Sequence, residues 1–279
     1  MVKQILPKFI SKDLEKEAEI KQEISYYPIK GCSKIENFRS PNAYVFILFE
    51  KCSGTHTIDF ITYEEENYQL HISYPEQIHS WDTMDGALGH KIIVSRKFAE
   101  KYLIETIFLK SIVNKNPVIK LTQYECICLV QDFVKLASEL AQPEVELEIV
   151  KLRALVIIMK INNLIGEKSK ECSFNQKNHP SVRSYLLLVE SFFKKQHTVA
   201  WYAKRLGIEP NYLNILCRKN LQISAKDVIH QRLILEVKRL LLGSDLSIKE
   251  ISYLLGFSGT TFFSSYIKKH TGFSPKDLK

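Results

Sequence analysis

The sequence predicts an α+β multidomain chain, with antiparallel β-structure and flanking helices in the N-terminal half and an all-α C-terminal segment. Three observations carry this. Between Tyr44 and Ser95, short runs rich in Tyr, Ile, Phe and Val alternate with clusters of Gly, Asn, Ser and Asp, the texture of strands and turns. From Arg96 onward the apolar period lengthens to that of helices. Beyond a polar stretch at 166–180, one pattern of apolar and small residues occurs twice at helical spacing.

Taken in order, residues 1–24 are charged and loosely helical in composition. Strands are expected over Tyr44–Phe49, Gly54–Tyr63, Tyr68–Ser73 and Lys91–Ser95, enough for an antiparallel barrel or sandwich. Helices are expected over Arg96–Leu109, Thr122–Ala141 and Glu144–Ile165. In the last of these, Val145, Ile149, Leu152, Val156 and Met159 recur at three and four residues, and Leu155 and Ile158 widen the apolar face. That stripe calls for a partner, either its own β-domain or a second copy of the chain. The stretch GEKSKECSFNQKNHP is polar and aperiodic and reads as a linker, giving domains at 1–165 and 181–279.

Composition narrows the classes. A chain of 279 residues exceeds the usual single domain, and 45% apolar with 25% charged residues suits folded domains. No apolar run approaches the roughly 18 residues of a membrane helix, and the N-terminus is too charged for a signal peptide, so a cytoplasmic protein with no membrane partner is expected. The six cysteines lack Cys-x-x-Cys spacing, which fits reduced thiols better than a disulfide frame or zinc site. From Ser181 to the end there are 16 Lys and Arg against 7 Asp and Glu; residues 1–180 hold 23 against 24. All the net basicity therefore lies in the last 99 residues, pointing to a polyanionic partner.

The repeat sets Val199, Ala203, Leu206, Gly207 and Ile208 beside Ile248, Ser252, Leu255, Gly256 and Phe257, with identical spacing. In each copy apolar residues and one small residue line a helix, a Gly takes a left-handed turn, and an apolar residue plugs that turn. Such an order suits a helix-turn-helix. The second helices are pinned by Leu213 with Cys217 and by Phe263 with Ile267. Between the copies, Ser224–Leu242 reads as one long helix, opened by a Ser224/Asp227 capping box and stopped by Gly243. A Ser247/Glu250 box opens the second module.

The segment LSIKEISYLLGFSGTTFFSSYIKKHTGFSP, together with RLILEVKRLLL, closely resembles regulators of the arabinose-operon (AraC) family over roughly residues 181–279. The resemblance implies a non-enzymatic transcription regulator whose two recognition helices enter successive major-groove segments of double-stranded DNA, about 34 Å apart. By motif position Asn211, Asn214 and Ile215 in the first module, and Thr260, Thr261, Ser264 and Ser265 in the second, would meet base edges. Arg205, Arg218, Lys219, Lys268 and Lys269 are placed for phosphates. The chain departs from the family pattern at Glu209, where a capping Ser is common, at Gln222, where Gly is usual, and at Cys217, where Phe is usual. Gly259 and Ser265 also replace more polar or charged residues.

The segment GTHTIDFITYEEENYQLHISYPEQIHSW resembles the cupin-type sensor domain of such regulators. Metal-binding cupins offer an early pair of His, but Arg39, Ser40, Pro41 and Asn42 stand there and only His79 matches the later position, so neither metal nor other cofactor is expected. His56 and His71 are read first as strand residues with satisfied rings. For a bound effector, a carbohydrate being the first class to test, the candidates are Tyr44, Phe46, His56, His79 and Trp81. The resemblance further implies a homodimer acting on the transcription machinery. Two alternatives stay open at this point: a constitutive DNA binder whose barrel only dimerises, and a cupin enzyme with a DNA-binding tail.

Overall fold

The longest buried apolar run among the described residues, Ala43–Phe49, forms the middle of a sheet in the computed structural model, which describes residues 23–40, 42–102, 117–172 and 179–279. Nine strands are described: β1 Ile24–Lys30, β2 Ser33–Arg39, β3 Ala43–Lys51, β4 Gly54–Ile58, β5 Ile61–Glu65, β6 Gln69–Ser73, β7 Ile78–Thr83, β8 Leu88–Ser95 and β9 Val118–Lys120. They make two antiparallel sheets, ordered β1-β8-β3-β6-β9 and β2-β7-β4-β5. Both are open, so the expected barrel is a two-sheet arrangement rather than one closed cylinder. The α+β class is as expected.

The strand alternation of β3 distributes its side chains between two cores. Tyr44, Phe46 and Leu48 join Leu129, Phe133, Ile157 and Ile161 from α2 (Gln123–Leu140) and α3 (Leu147–Cys172). Val45, Ile47 and Phe49 join Trp81 and Ile93 on the opposite face. Both faces are covered, which is why the run lacks polar alternation. Before these helices, α1 spans Arg96–Tyr102; the rest of the helix expected to Leu109, and the N-terminal 22 residues, lie outside the described residues.

Several boundaries differ from the sequence expectation for local reasons. The single strand expected over Gly54–Tyr63 is a hairpin, because Asp59 and Phe60 both adopt positive φ (48° and 72°) and reverse the chain without a glycine to signal it. β1 was hidden by Pro28, which an edge strand tolerates. Helix α2 has the Thr122/Glu125 capping box at its start. Helix α3 runs on through Gly166 to Cys172, so the first part of the expected linker is helical; Glu167, Lys168, Lys170 and Glu171 are good helix formers and outweigh one Gly.

Helix α3 is apolar on two faces. Val150, Ala154, Ile157, Ile158, Ile161 and Ile165 are buried, whereas Ile149, Leu152, Val156 and Met159 are exposed. The β-domain therefore takes one face, with Leu155 and Ile158 of the expected stripe packed into its core, and leaves Ile149, Leu152, Val156 and Met159 uncovered. Ion pairs Lys160–Asp132 (2.5 Å) and Arg153–Glu139 (2.6 Å) fasten α3 antiparallel to α2.

Chain packing divides the described residues into two compact units, one ending at Glu167 and one starting at Lys168. The second unit contains α4 Pro180–Phe192, α5 Val199–Leu206, α6 Pro210–Leu221, α7 Ala225–Gly243, α8 Ile248–Leu254 and α9 Thr260–Thr271. The capping boxes at Ser224/Asp227 and Ser247/Glu250 are both formed. Gly243 ends α7 as its last residue, and the following Ser244 is extended. Among the described residues no helix is long and apolar enough to cross a membrane.

Candidate functional site

Helix α7 is the spine of the second unit. Its Ile229, Leu233, Val237, Leu240 and Leu241 form one core with Leu213 and Cys217 of the first repeat and with Ile251, Leu255, Phe263 and Ile267 of the second. Because both repeats share this core, their positions on α7 are fixed rather than tethered. The turns are those the repeat implies: Gly207 and Gly256 take φ of 66° and 76°, and Ile208 and Phe257 donate backbone N–H bonds to Ala203 and Ser252. Gln222, in place of the usual Gly after α6, is also left-handed at φ 62°, which costs about 1–2 kcal/mol.

Most of the sequence-named readers are presented to solvent. On α6, Asn211 and Ile215 are exposed; on α9, Thr260, Thr261 and Ser265 are exposed and Ser264 is half-buried. Arg218, Lys219, Lys268 and Lys269 are exposed in the last turns of these helices, where cations also suit the helix dipole. Neither Glu209 nor Gly259 caps its helix through a side chain, so first-turn N–H groups keep their hydrogen-bonding capacity. Arg205 is exposed but stacks 4.7 Å from the Trp201 ring centroid and 5.1 Å from that of Phe192, which fixes its direction.

Asn214 differs from its expected role. It is half-buried, and its Oδ1 accepts from the Ala225 amide at 3.1 Å, tying α6 to the start of α7. Bidentate pairing with adenine needs both ends of the amide, and one end is engaged inside the protein. Two residues absent from the sequence reading are large and exposed on the reader helices, Tyr212 and Phe262. Each stands immediately before the first pinning residue, a signal the repeat alignment contained.

The first unit holds a second cluster, between its sheets. His56 (β4), His71 (β6), His79 and Trp81 (β7) are buried together, with Lys91 of β8 6% exposed. His71 Nε2 donates to Gln69 Oε1 at 2.8 Å, whose oxygen identity is fixed because it also accepts from the Glu66 amide. His71 Nδ1 is then the acceptor for His56 Nδ1–H at 2.8 Å, and His56 Nε2 is left as a buried acceptor without a hydrogen-bond partner. Both ring nitrogens of His79, 1% exposed, are likewise unpartnered. Burial pushes the His56 imidazole down to about 3. It holds His71 and His79 well below the usual range too, with His56 and, for His79, Lys91 adding to the effect. All three rings are therefore neutral at pH 7. The Lys91 ammonium stands 4.9 Å from the Tyr27 ring centroid and 5.2 Å from that of Trp81.

Of the five effector candidates, the fold brings His56, His79 and Trp81 together; Tyr44 and Phe46 sit on the other face of β3 among the helices. Strand period two separates them from Trp81. His71 and Lys91 were missed as site residues, although a Lys two residues before Ile93 in a β-run marks an inward charge. Where a metal-binding His pair would stand, Arg39 forms an ion pair with Glu76.

Residues 202–279 match the family described as helix-turn-helix domain. Over 138 residues, 50% of this chain and 47% of the relative, the chain is 25% identical to the uncharacterized HTH-type transcriptional regulator YijO of Escherichia coli. It is 28% identical over 131 residues, 45% of this chain and 47% of the relative, to the Msm operon regulatory protein of Streptococcus mutans. The chain thus spans about half the length of these curated relatives. The C-terminal domain of AraT, a response regulator from Geobacillus stearothermophilus, is 27% identical, covering 37% of this chain and 86% of that one, with a TM-score of 0.35. Over Tyr202–Lys279 the chain therefore carries a domain similar to that helix-turn-helix family.

Proposed function

We propose that the chain is a sequence-specific DNA-binding transcription regulator, that it acts as a homodimer, and that its β-unit (1–165) senses a small molecule while 181–279 binds DNA. The observation that carries this reading is the pair of helix-turn-helix modules on one shared core, each presenting exposed side chains followed by exposed cations. Asn211, Ile215, Thr260, Thr261, Ser264 and Ser265 meet base edges; Arg205, Arg218, Lys219, Lys268 and Lys269 meet phosphates. The transcription machinery is the downstream partner.

Selection of random duplexes by the full-length protein, at two salt concentrations, tests the DNA reading. A motif spanning two adjacent major-groove segments is expected, lost when Asn211, Thr260 and Thr261 become Ala. Changing Lys268 and Lys269 to Ala should lower the slope of log affinity against log salt by about two. Sequence-independent binding alone would overturn the reading.

Dimerisation is supported by the uncovered α3 stripe, since an apolar face of this size is costly to leave in water. With Leu152 and Met159 both changed to Glu, sedimentation is expected to give monomers where the unaltered protein gives dimers. A monomeric unaltered protein at micromolar concentration would sink the proposal. For the effector, the unpartnered nitrogens of His56 and His79 beside Trp81 support a polar ligand with a stackable face, a carbohydrate being the first class to screen by its effect on thermal stability.

A further inference from the structure

Tyr212 and Phe262 occupy the same place in the two repeats. Each is the third residue of its reader helix and directly precedes a fully buried pinning residue, Leu213 or Phe263. Yet Tyr212 is 46% and Phe262 65% exposed. Counting at helical spacing, Tyr212, Ile215 and Lys219 share one face of α6, and Phe262, Ser265 and Lys269 share the matching face of α9. An aromatic ring thus stands at the N-terminal end of each reader face and a cation at its C-terminal end.

The floor of a major groove offers hydrogen-bonding edges at every base pair but one apolar feature, the C5 methyl of thymine. An aromatic side chain there has no other apolar surface to cover. In the first module Ile215, also exposed, extends the apolar face by one turn, and the Asn214 oxygen is engaged inside the protein. Readout by that module consequently leans on shape and methyl contact more than on amide pairing. The flanking cations at Arg218, Lys219, Lys268 and Lys269 favour a polyanion over an apolar protein surface as the occupant.

We propose that Tyr212 and Phe262 are specificity-determining residues that each cover a thymine methyl group, at equivalent positions of the two major-groove segments of the operator. The inference rests on the DNA-binding reading above. It requires a thymine in each segment, the two about one helical turn, roughly 10 base pairs, apart.

The test uses the full-length protein and the duplex obtained by selection, with each thymine replaced in turn by deoxyuridine, which removes the methyl and nothing else. For the unaltered protein, one replacement in each segment is expected to weaken binding about fourfold, the worth of one buried methyl. In Phe262→Ala the penalty in one segment should vanish, and in Tyr212→Ala the penalty in the other. Both rings are exposed, so circular dichroism should report unchanged helix content in the variants. Neutral replacements throughout, or penalties that persist in the alanine variants, would overturn the inference. Variants with unaltered affinity and undiminished penalties would assign the rings to a protein partner instead. Recovery of no motif at all would overturn the regulator reading and this inference with it.

Discussion

Replacing Glu236 by Ala is expected to destabilise the C-terminal unit by about 3–5 kcal/mol, the cost of removing one member of a buried ion cluster. Glu236 is fully buried on α7 and receives Arg232 Nη1 at 3.0 Å, with Arg239 Nη1 at 3.6 Å and Lys194 Nζ at 3.2 Å. Arg232 also donates through Nε to both Glu190 oxygens, at 2.7 and 2.9 Å, and lies 3.9 Å from the Phe193 ring centroid. Without Glu236, Lys194 loses its 3.2 Å ion pair and Arg239 its approach to that carboxylate, while Glu190 still serves Arg232. Burial pushes the Glu236 carboxyl up, but Arg232, Lys194 and Arg239 together outweigh it and hold it below its ordinary 4.5. A lowered carboxylate stabilises the fold above its unfolded value and loses that contribution as the pH falls through its folded value. Glu236→Gln should therefore weaken the unit at neutral pH and flatten its loss of stability below about pH 4.5. The chain has two Trp, so a Trp81→Phe background leaves Trp201 to report this unit during urea unfolding. A loss under about 1 kcal/mol would contradict the argument.

The two turn glycines should respond very differently to Ala, although the repeat makes them equivalent. Gly207→Ala is expected to cost about 1–2 kcal/mol, the penalty of a left-handed L-residue, because a Cβ there meets open space. At Gly256 the same Cβ would lie 2.5 Å from the Lys194 carbonyl oxygen and 3.5 Å from the Lys195 Cα, so backbone must move as well. That adds about 1–3 kcal/mol. The displaced segment carries Lys194, a member of the Glu236 cluster, so part of the loss should couple to Glu236→Gln in a double-mutant cycle. Asn separates the two causes, since it tolerates left-handed backbone but still has a Cβ. Gly207→Asn should recover most of the loss and Gly256→Asn little. Equal losses at both positions in urea unfolding would refute the distinction.

What the sequence determined by itself was whatever local spacing encodes. The helix-turn-helix repeat, the capping boxes at Ser224 and Ser247, the approximate span of α2 and the strands expected at Tyr44–Phe49 and Lys91–Ser95 depend on backbone hydrogen bonds and on side chains within a turn or two. The reader helices and their exposed cations were legible for the same reason. Short or irregular strands were not, because β2, β7 and β9 draw their pairing from partners distant in sequence. Only the tertiary structure decided what lies across from each residue. It sent Tyr44 and Phe46 to the helices and Trp81 to the space between the sheets, gathered His71 and Lys91 with it, set the Asn214 oxygen on α7, left one face of α3 uncovered, and put a carbonyl against Gly256 but nothing against Gly207. The physical reason is that spacing fixes which residues share a face, whereas packing between elements far apart in the chain fixes what that face meets.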